Sequence, residues 1–166
     1  LYMIARAGSG HIGSSFSSLD MMSWLLFKEV RTPREGDLDS PRDIFFSSKG
    51  HDAPALYSTL IGLGRLEFDL IHKLRRAGGL PGHPDTSTPN MVTNTGSLGM
   101  GVSKAKGMIF ANRLLKRSGN VYVLTGDGEL QEGQFWESLI SAANYKLHEL
   151  IVIVDHNKLQ SDTLVK

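Results

Sequence analysis

The chain has 166 residues, 40% of them hydrophobic and 21% charged, and 18 Lys and Arg against 17 Asp and Glu leave a net charge of +1. A domain takes about 100–200 residues, so the length fits one, and so even a charge balance advertises no field for a polyanion such as nucleic acid. Cys is absent, which excludes a disulfide framework, a thiolate nucleophile and a thiolate metal site and fits a reducing, cytoplasmic setting.

The chain opens at Leu1, not at an initiator Met, and reads as a piece trimmed at both ends of a longer protein. Gly8-Ser9-Gly10-His11-Ile12-Gly13-Ser14-Ser15 is a Gly- and Ser-rich loop. Ser17 and Asp20 have the spacing of a capping box, followed by a helix with Phe16, Leu19, Leu26 and Val30 on its apolar face. Residues 31–42 form a polar connection, and Ile44-Phe45-Phe46 a short strand that runs into the loop 47–52. Helices are predicted over 53–61 and 66–76, broken at Gly62 and Gly64. Residues 78–96 are a long loop with Pro81, Pro84 and Pro89, and loops of that length are usually functional or disordered. Gly99-Met100-Gly101 opens another helix, whose buried face is Leu98, Val102, Ala105, Ile109 and Leu115.

The last unit is the clearest. A buried strand over 121–125, the turn Gly126-Asp127-Gly128, a helix over 134–145 and a second buried strand over 150–154 make a βαβ crossover. Strands this continuously apolar belong to a parallel sheet covered by helices, so the fold class is α/β. No apolar run approaches the ~18 residues that span a bilayer, so no membrane partner is expected.

Ligands of such sheets sit beyond the carboxyl ends of the strands. Asp127 and Asn157 both fall there, one after each strand, and offer a carboxylate and an amide oxygen. These are hard donors suited to Mg²⁺ or Ca²⁺. A neutral Asn suits a cation whose other ligands are phosphate oxygens. Gly126 and Gly128 would let backbone N–H groups approach the phosphate. The plain alternative is a strand-to-helix turn with Asp127 as its cap.

Six segments in order carry a resemblance. They are Ser9-Gly10-His11-Ile12-Gly13-Ser14-Ser15, Ser48-Lys49-Gly50-His51-Asp52-Ala53-Pro54-Ala55-Leu56-Tyr57, Gly82-His83-Pro84, Thr95-Gly96-Ser97-Leu98-Gly99-Met100-Gly101, Gly126-Asp127-Gly128-Glu129-Leu130-Gln131-Glu132-Gly133, and Asp155-His156-Asn157-Lys158-Leu159-Gln160-Ser161-Asp162. Together they resemble the thiamine diphosphate-binding domain of the transketolase family, across essentially the whole chain. The pyrimidine-binding domain that transketolases also carry has no counterpart here. The resemblance therefore implies one half of a split transketolase, working with a second polypeptide in a heterotetramer.

By that resemblance, Asp127, Asn157 and the carbonyl of Leu159 would bind Mg²⁺ (or Ca²⁺) on the cofactor diphosphate, with Gly126, Gly128, Glu129 and His51 along it. Gly96 and Leu98 would lie near the cofactor rings. Glu132 would belong to a carboxylate network at the subunit contact, with Trp136 as an anchor or as core packing. His11 and His83 would bind the hydroxyls of a ketose or ketose phosphate and move protons, work suited to an imidazole. The reaction implied is transfer of a two-carbon ketol unit to an aldehyde acceptor. His72, His148 and His156 are expected to be surface or structural residues.

Departures from the family pattern are Ile12 where Pro is common, Met100 where Gln is common, and Asp52 where a small residue is usual. Asp52 is expected to face a cation or solvent. The loop over 159–166 is expected to be mobile without cofactor. Other readings are transfer to a carrier protein, a non-catalytic scaffold paralogue, or a nicotinamide site on Gly8-x-Gly10-x-x-Gly13. The last needs a strand over residues 1–4 before the glycines and a ribose-binding acid at Glu29.

Overall fold

The apolar runs near positions 44, 121 and 150 form three parallel strands, β1 (Ile44–Ser47), β2 (Val121–Gly126) and β3 (Leu150–Asp155), in the order β1-β2-β3. The register pairs Ile44 with Val121 and Val121 with Leu150. This comes from a computed structural model that describes residues 1–32, 41–160 and 163–165. The middle of the expected polar connection, 33–40, and part of the loop expected to be mobile, 161–162 and 166, lie outside the described residues. The chain divides into two units, one of Leu1–Glu29 and Lys49–Gly96, the other of Val30–Ser48 and Ser97–Lys166.

The sheet belongs to the second unit. Helices α4 (Gly101–Leu114) and α5 (Gly133–Asn144) pack on each other, and α4 also lies on β2 and β3. The core joins Phe46, Ala105, Ile109, Val121, Val123, Ala142 and Leu147. Val102, Ala105 and Ile109 are buried as expected, whereas Leu98 and Leu115 are exposed because they lie just beyond the two ends of α4. β2 is buried from Val121 to Thr125, but residues 151–154 are only half-buried, contrary to expectation. The reason is position: among the described residues β3 is an edge strand of its sheet.

The first unit is helical. Residues 1–4, which the dinucleotide reading needs as a strand, begin the helix α1 (Tyr2–Ala7), and Gly8 at φ 72° closes it with N–H bonds to Ile4 and Ala5 carbonyls. That reading therefore lacks its strand. Helix α2 (Ile12–Trp24) starts earlier than the Ser17/Asp20 spacing predicts. His11 has extended backbone, and its carbonyl accepts the first helical bond from Ser15 N at 3.1 Å. Ser17 and Ser18 lie inside the helix, where both hydroxyls donate back to the Ser14 carbonyl instead of capping. Phe16 is exposed, while Ser15, Ser18 and Met22 are buried. A π-helical turn, Leu25–Glu29, follows, so Glu29 ends no strand.

α3 (Ala53–Gly62) packs on α2. The second predicted helix shrinks to a 3₁₀ turn, Phe68–His72. Arg75 stands at φ 56°, and Leu74 bridges Leu80 through bonds that turn the chain at Gly78-Gly79. Gly79 lies so close to the Lys73 carbonyl that any side chain there would collide with it. No helix among the described residues is long and apolar enough to cross a membrane.

Candidate functional site

In the second unit, the β2–β3 register carries through Gly126 and Asp155, so the residues that follow both strands emerge side by side. Asp127 opens a 3₁₀ turn, Asp127–Gln131, and is 4% exposed. Its Oδ1 accepts a bond from Gly128 N at 3.0 Å and its Oδ2 one from Lys158 N at 2.6 Å. Lys158 adopts φ 61°, and the chain then enters the hairpin β4 (Leu159–Gln160) and β5 (Thr163–Leu164). Asn157 Oδ1 accepts from Leu159 N at 2.8 Å.

Each of these side-chain oxygens keeps lone pairs beyond its backbone bond. A buried carboxylate and an amide oxygen on the loops after neighbouring strands are hard donors of the kind Mg²⁺ or Ca²⁺ takes. Asp127 thus does more than cap a turn: it joins the end of β2 to the loop after β3. Gln160 lies over Gly128, within 3.2 Å of where a Cβ would stand.

Glu129 is 1% exposed and turned inward. Ser48 Oγ donates to its Oε2 at 2.6 Å, Gly99 N to the same oxygen at 2.9 Å, and Gly126 N to Oε1 at 3.3 Å. The side chain organises the turn, which leaves the backbone as its means of reaching a diphosphate. A Cβ on Gly101 would meet Ser48 at 2.5 Å, so this glycine lets α4 begin against the end of β1. Glu132 is exposed and lies against Gly99, next to Leu98. Trp136 is 53% exposed and donates to the Leu130 carbonyl at 2.7 Å, which excludes simple core packing.

The first unit gathers the three histidines and Gly96. The His11 and His51 rings lie 5.1 Å apart. A Cβ on Gly50 (φ 70°) would come within 2.6 Å of Gly96 N and 3.0 Å of the His83 ring. A Cβ on Gly96 would also meet His83 at 3.0 Å. Buried Tyr57 donates to the Pro81 carbonyl at 3.1 Å, and Thr95 N donates to the Pro84 carbonyl, fixing the long loop on either side of His83.

Burial, then the Lys49 ammonium, then His11 push the His51 pKa down to about 4. Burial, Arg75 and His11 likewise hold His83 below the usual histidine value, and Asp52 opposes them. Both imidazoles are neutral at pH 7 and can accept or donate a hydrogen bond there. Asp52 faces a cation: its carboxylate lies 3.6 Å from Lys49 Nζ, with both side chains buried. The roles of Ser48 and Lys49 were not foreseen. Each is an ordinary polar residue until the fold is known, and only the polar run 47–52 hinted at them. His72 meets Tyr2 Oη at 2.7 Å, and His148 and His156 are exposed.

A parallel α/β sheet with oxygen donors, Asp127 and Asn157, on the loops after two neighbouring strands is the class this geometry defines. Residues 1–166 match the family described as transketolase, thiamine diphosphate binding domain. The chain belongs to the transketolase family, as its thiamine diphosphate-binding domain. It is 39% identical over 153 residues to one of the polypeptides of apulose-4-phosphate transketolase from Actinobacillus succinogenes, covering 91% of this chain and 55% of that protein. It is 37% identical over 161 residues to SqwG of a Clostridium species, a polypeptide of 6-deoxy-6-sulfo-D-fructose transketolase, covering 96% and 58%. A solved transketolase from Leishmania mexicana superposes with a TM-score of 0.84 at 33% identity, over 96% of this chain and 26% of that one. The chain therefore spans a little over half the length of the first two relatives.

Proposed function

We propose that the chain is the cofactor-holding half of a two-polypeptide transketolase, transferring a two-carbon ketol unit from a ketose or ketose phosphate to an aldehyde acceptor. Asp127, Asn157 and the Leu159 carbonyl hold Mg²⁺, and Gly126, Gly128, the backbone of Glu129 and His51 receive the diphosphate. Gly96 and Leu98 border the cofactor rings. When bound, thiamine diphosphate supplies the electron sink that allows the bond beside a ketose carbonyl to break.

The observation that carries this reading is the Asp127–Lys158 bond, which joins the two strand-end loops that bear the oxygen donors. His11 and His83 bind donor hydroxyls and move protons between heteroatoms, His83 from a neutral imidazole. A partner polypeptide supplies the pyrimidine-binding domain, in a heterotetramer. Glu132 and the exposed Trp136 and Ile140 of the α5 region support a protein contact there. The relatives named for apulose 4-phosphate and for 6-deoxy-6-sulfo-D-fructose support a sugar substrate carrying an anionic tail.

The test is calorimetric titration of the full-length chain with thiamine diphosphate, with Mg²⁺ and then with EDTA. Binding that needs Mg²⁺ supports the reading. If the chain alone does not bind, the titration is repeated with the partner polypeptide, and silence there too overturns it.

A further inference from the structure

We propose that Asp52 is a positioning residue whose buried carboxylate holds the Lys49 ammonium and balances its charge beside the histidines of the first unit. Asp52 is the residue before α3, where an Asp usually caps the helix with its side chain. Here it makes no such bond. The carboxylate is instead directed at Lys49, 3.6 Å away, with side-chain exposures of 3% for Lys49 and 0% for Asp52. Desolvating two charges is costly, and a small or apolar pair would pack as well. Packing alone therefore does not account for the pair.

What surrounds it does. The pair brackets Gly50 and His51 in one short loop, the His51 ring lies tilted against that of His11, and His83 rests on the Gly50 and Gly96 backbone. Lys49, His11 and His83 face His51, and each disfavours its protonation. Arg75 and His11 face His83 with the same effect, and among the described residues Asp52 is the charged neighbour that opposes them. Without Asp52, the Lys49 ammonium loses the buried carboxylate beside it, and His83 loses the negative charge that favours its protonation.

This inference rests on the reading of His83 as a donor-facing group only where turnover is concerned. The primary experiment avoids turnover: an NMR titration of the imidazole resonances in the full-length chain, without cofactor. In D52N the His83 pKa falls by about half a unit or more. In K49M the His51 pKa rises. In the K49M/D52N double variant both shifts are smaller than in the single variants, because two opposite charges leave together. Where D52N does not fold, the K49M and double variants carry the comparison.

A His83 pKa in D52N within about 0.2 unit of the parent, or a His51 pKa unmoved in K49M, overturns the proposal. In the reconstituted pair, the acidic limb of the pH–rate profile of D52N moves with the NMR pKa of His83. If the NMR shift is present and the limb stays in place, the charge-balancing pair stands and the donor-facing role of His83 falls.

Discussion

The backbone N–H of Lys158 donates to Asp127 Oδ2 at 2.6 Å, across a sequence separation of 31 residues. One carboxylate thus organises the loops after two neighbouring strands while keeping lone pairs for a cation. Asp127→Ala removes the charged donor and leaves the Lys158 and Gly128 N–H groups without their acceptor. It is expected to abolish Mg²⁺-dependent cofactor binding in calorimetry at a stability cost of about 1–3 kcal/mol. Circular dichroism should show the fold retained, and unchanged cofactor affinity would sink the metal assignment.

His83→Ala separates binding from chemistry. The ring rests on Gly50 and Gly96 and is not among the groups proposed to hold Mg²⁺ or the diphosphate. Cofactor affinity should stay within a factor of a few. Turnover of the reconstituted pair should fall about 10²–10⁴-fold, the usual worth of a positioned acid–base group. Full activity would remove His83 from the reaction.

Acid should weaken the chain before its carboxylates titrate. His51 has a folded pKa of about 4, whereas an unfolded histidine sits near ~6.5. The unfolded chain binds that proton more readily, so the stability tied to neutral His51 is complete above about pH 6.5 and is lost as pH falls toward 4. His83, also depressed, acts in the same direction. Asp43 and Glu149, whose pKa values are lowered, add their losses only further into acid. Urea midpoints measured at pH 7.5, 6 and 5 should decline steadily, and His51→Gln should flatten the decline.

Gly50→Ala addresses the seat of the histidine loops. Position 50 has φ 70°, which disfavours any side chain, and the new Cβ would stand 2.6 Å from Gly96 N, a backbone atom that cannot swing aside. A loss of about 2–4 kcal/mol is expected in denaturant unfolding. A loss under about 0.5 kcal/mol would mean that the two segments do not approach so closely.

The βαβ unit was legible because its signals agree: continuous apolar strands, a glycine turn and an amphipathic helix. Strand order puts Asp127 and Asn157 just after two apolar strands, and the register pairs the residues before them, Gly126 and Asp155. The helical first unit was harder to read. Ser17 and Asp20 mimic a cap, but the start of α2 is set by the extended backbone of His11, which no residue pattern announces. The predicted helix over 66–76 lost to a local bridge between Leu74 and Leu80, closed around Gly78-Gly79. Glu129 was assigned to the diphosphate by resemblance, yet its inward carboxylate depends on Ser48, a partner far away in the chain. Long-range pairings of this kind leave no local trace.

The Glu129 carboxylate also bears on the order in which the chain folds. Its donors Ser48 and Gly99 lie 81 and 30 residues away in sequence. Closing loops of that size costs entropy before any contact repays it, so such bonds form late. Helices and the β2–β3 crossover can assemble first, while the turn that carries Asp127 waits for distant segments to arrive. A cofactor that recognises the finished turn should then leave the refolding rate nearly unchanged and slow unfolding instead, lengthening the life of the folded chain.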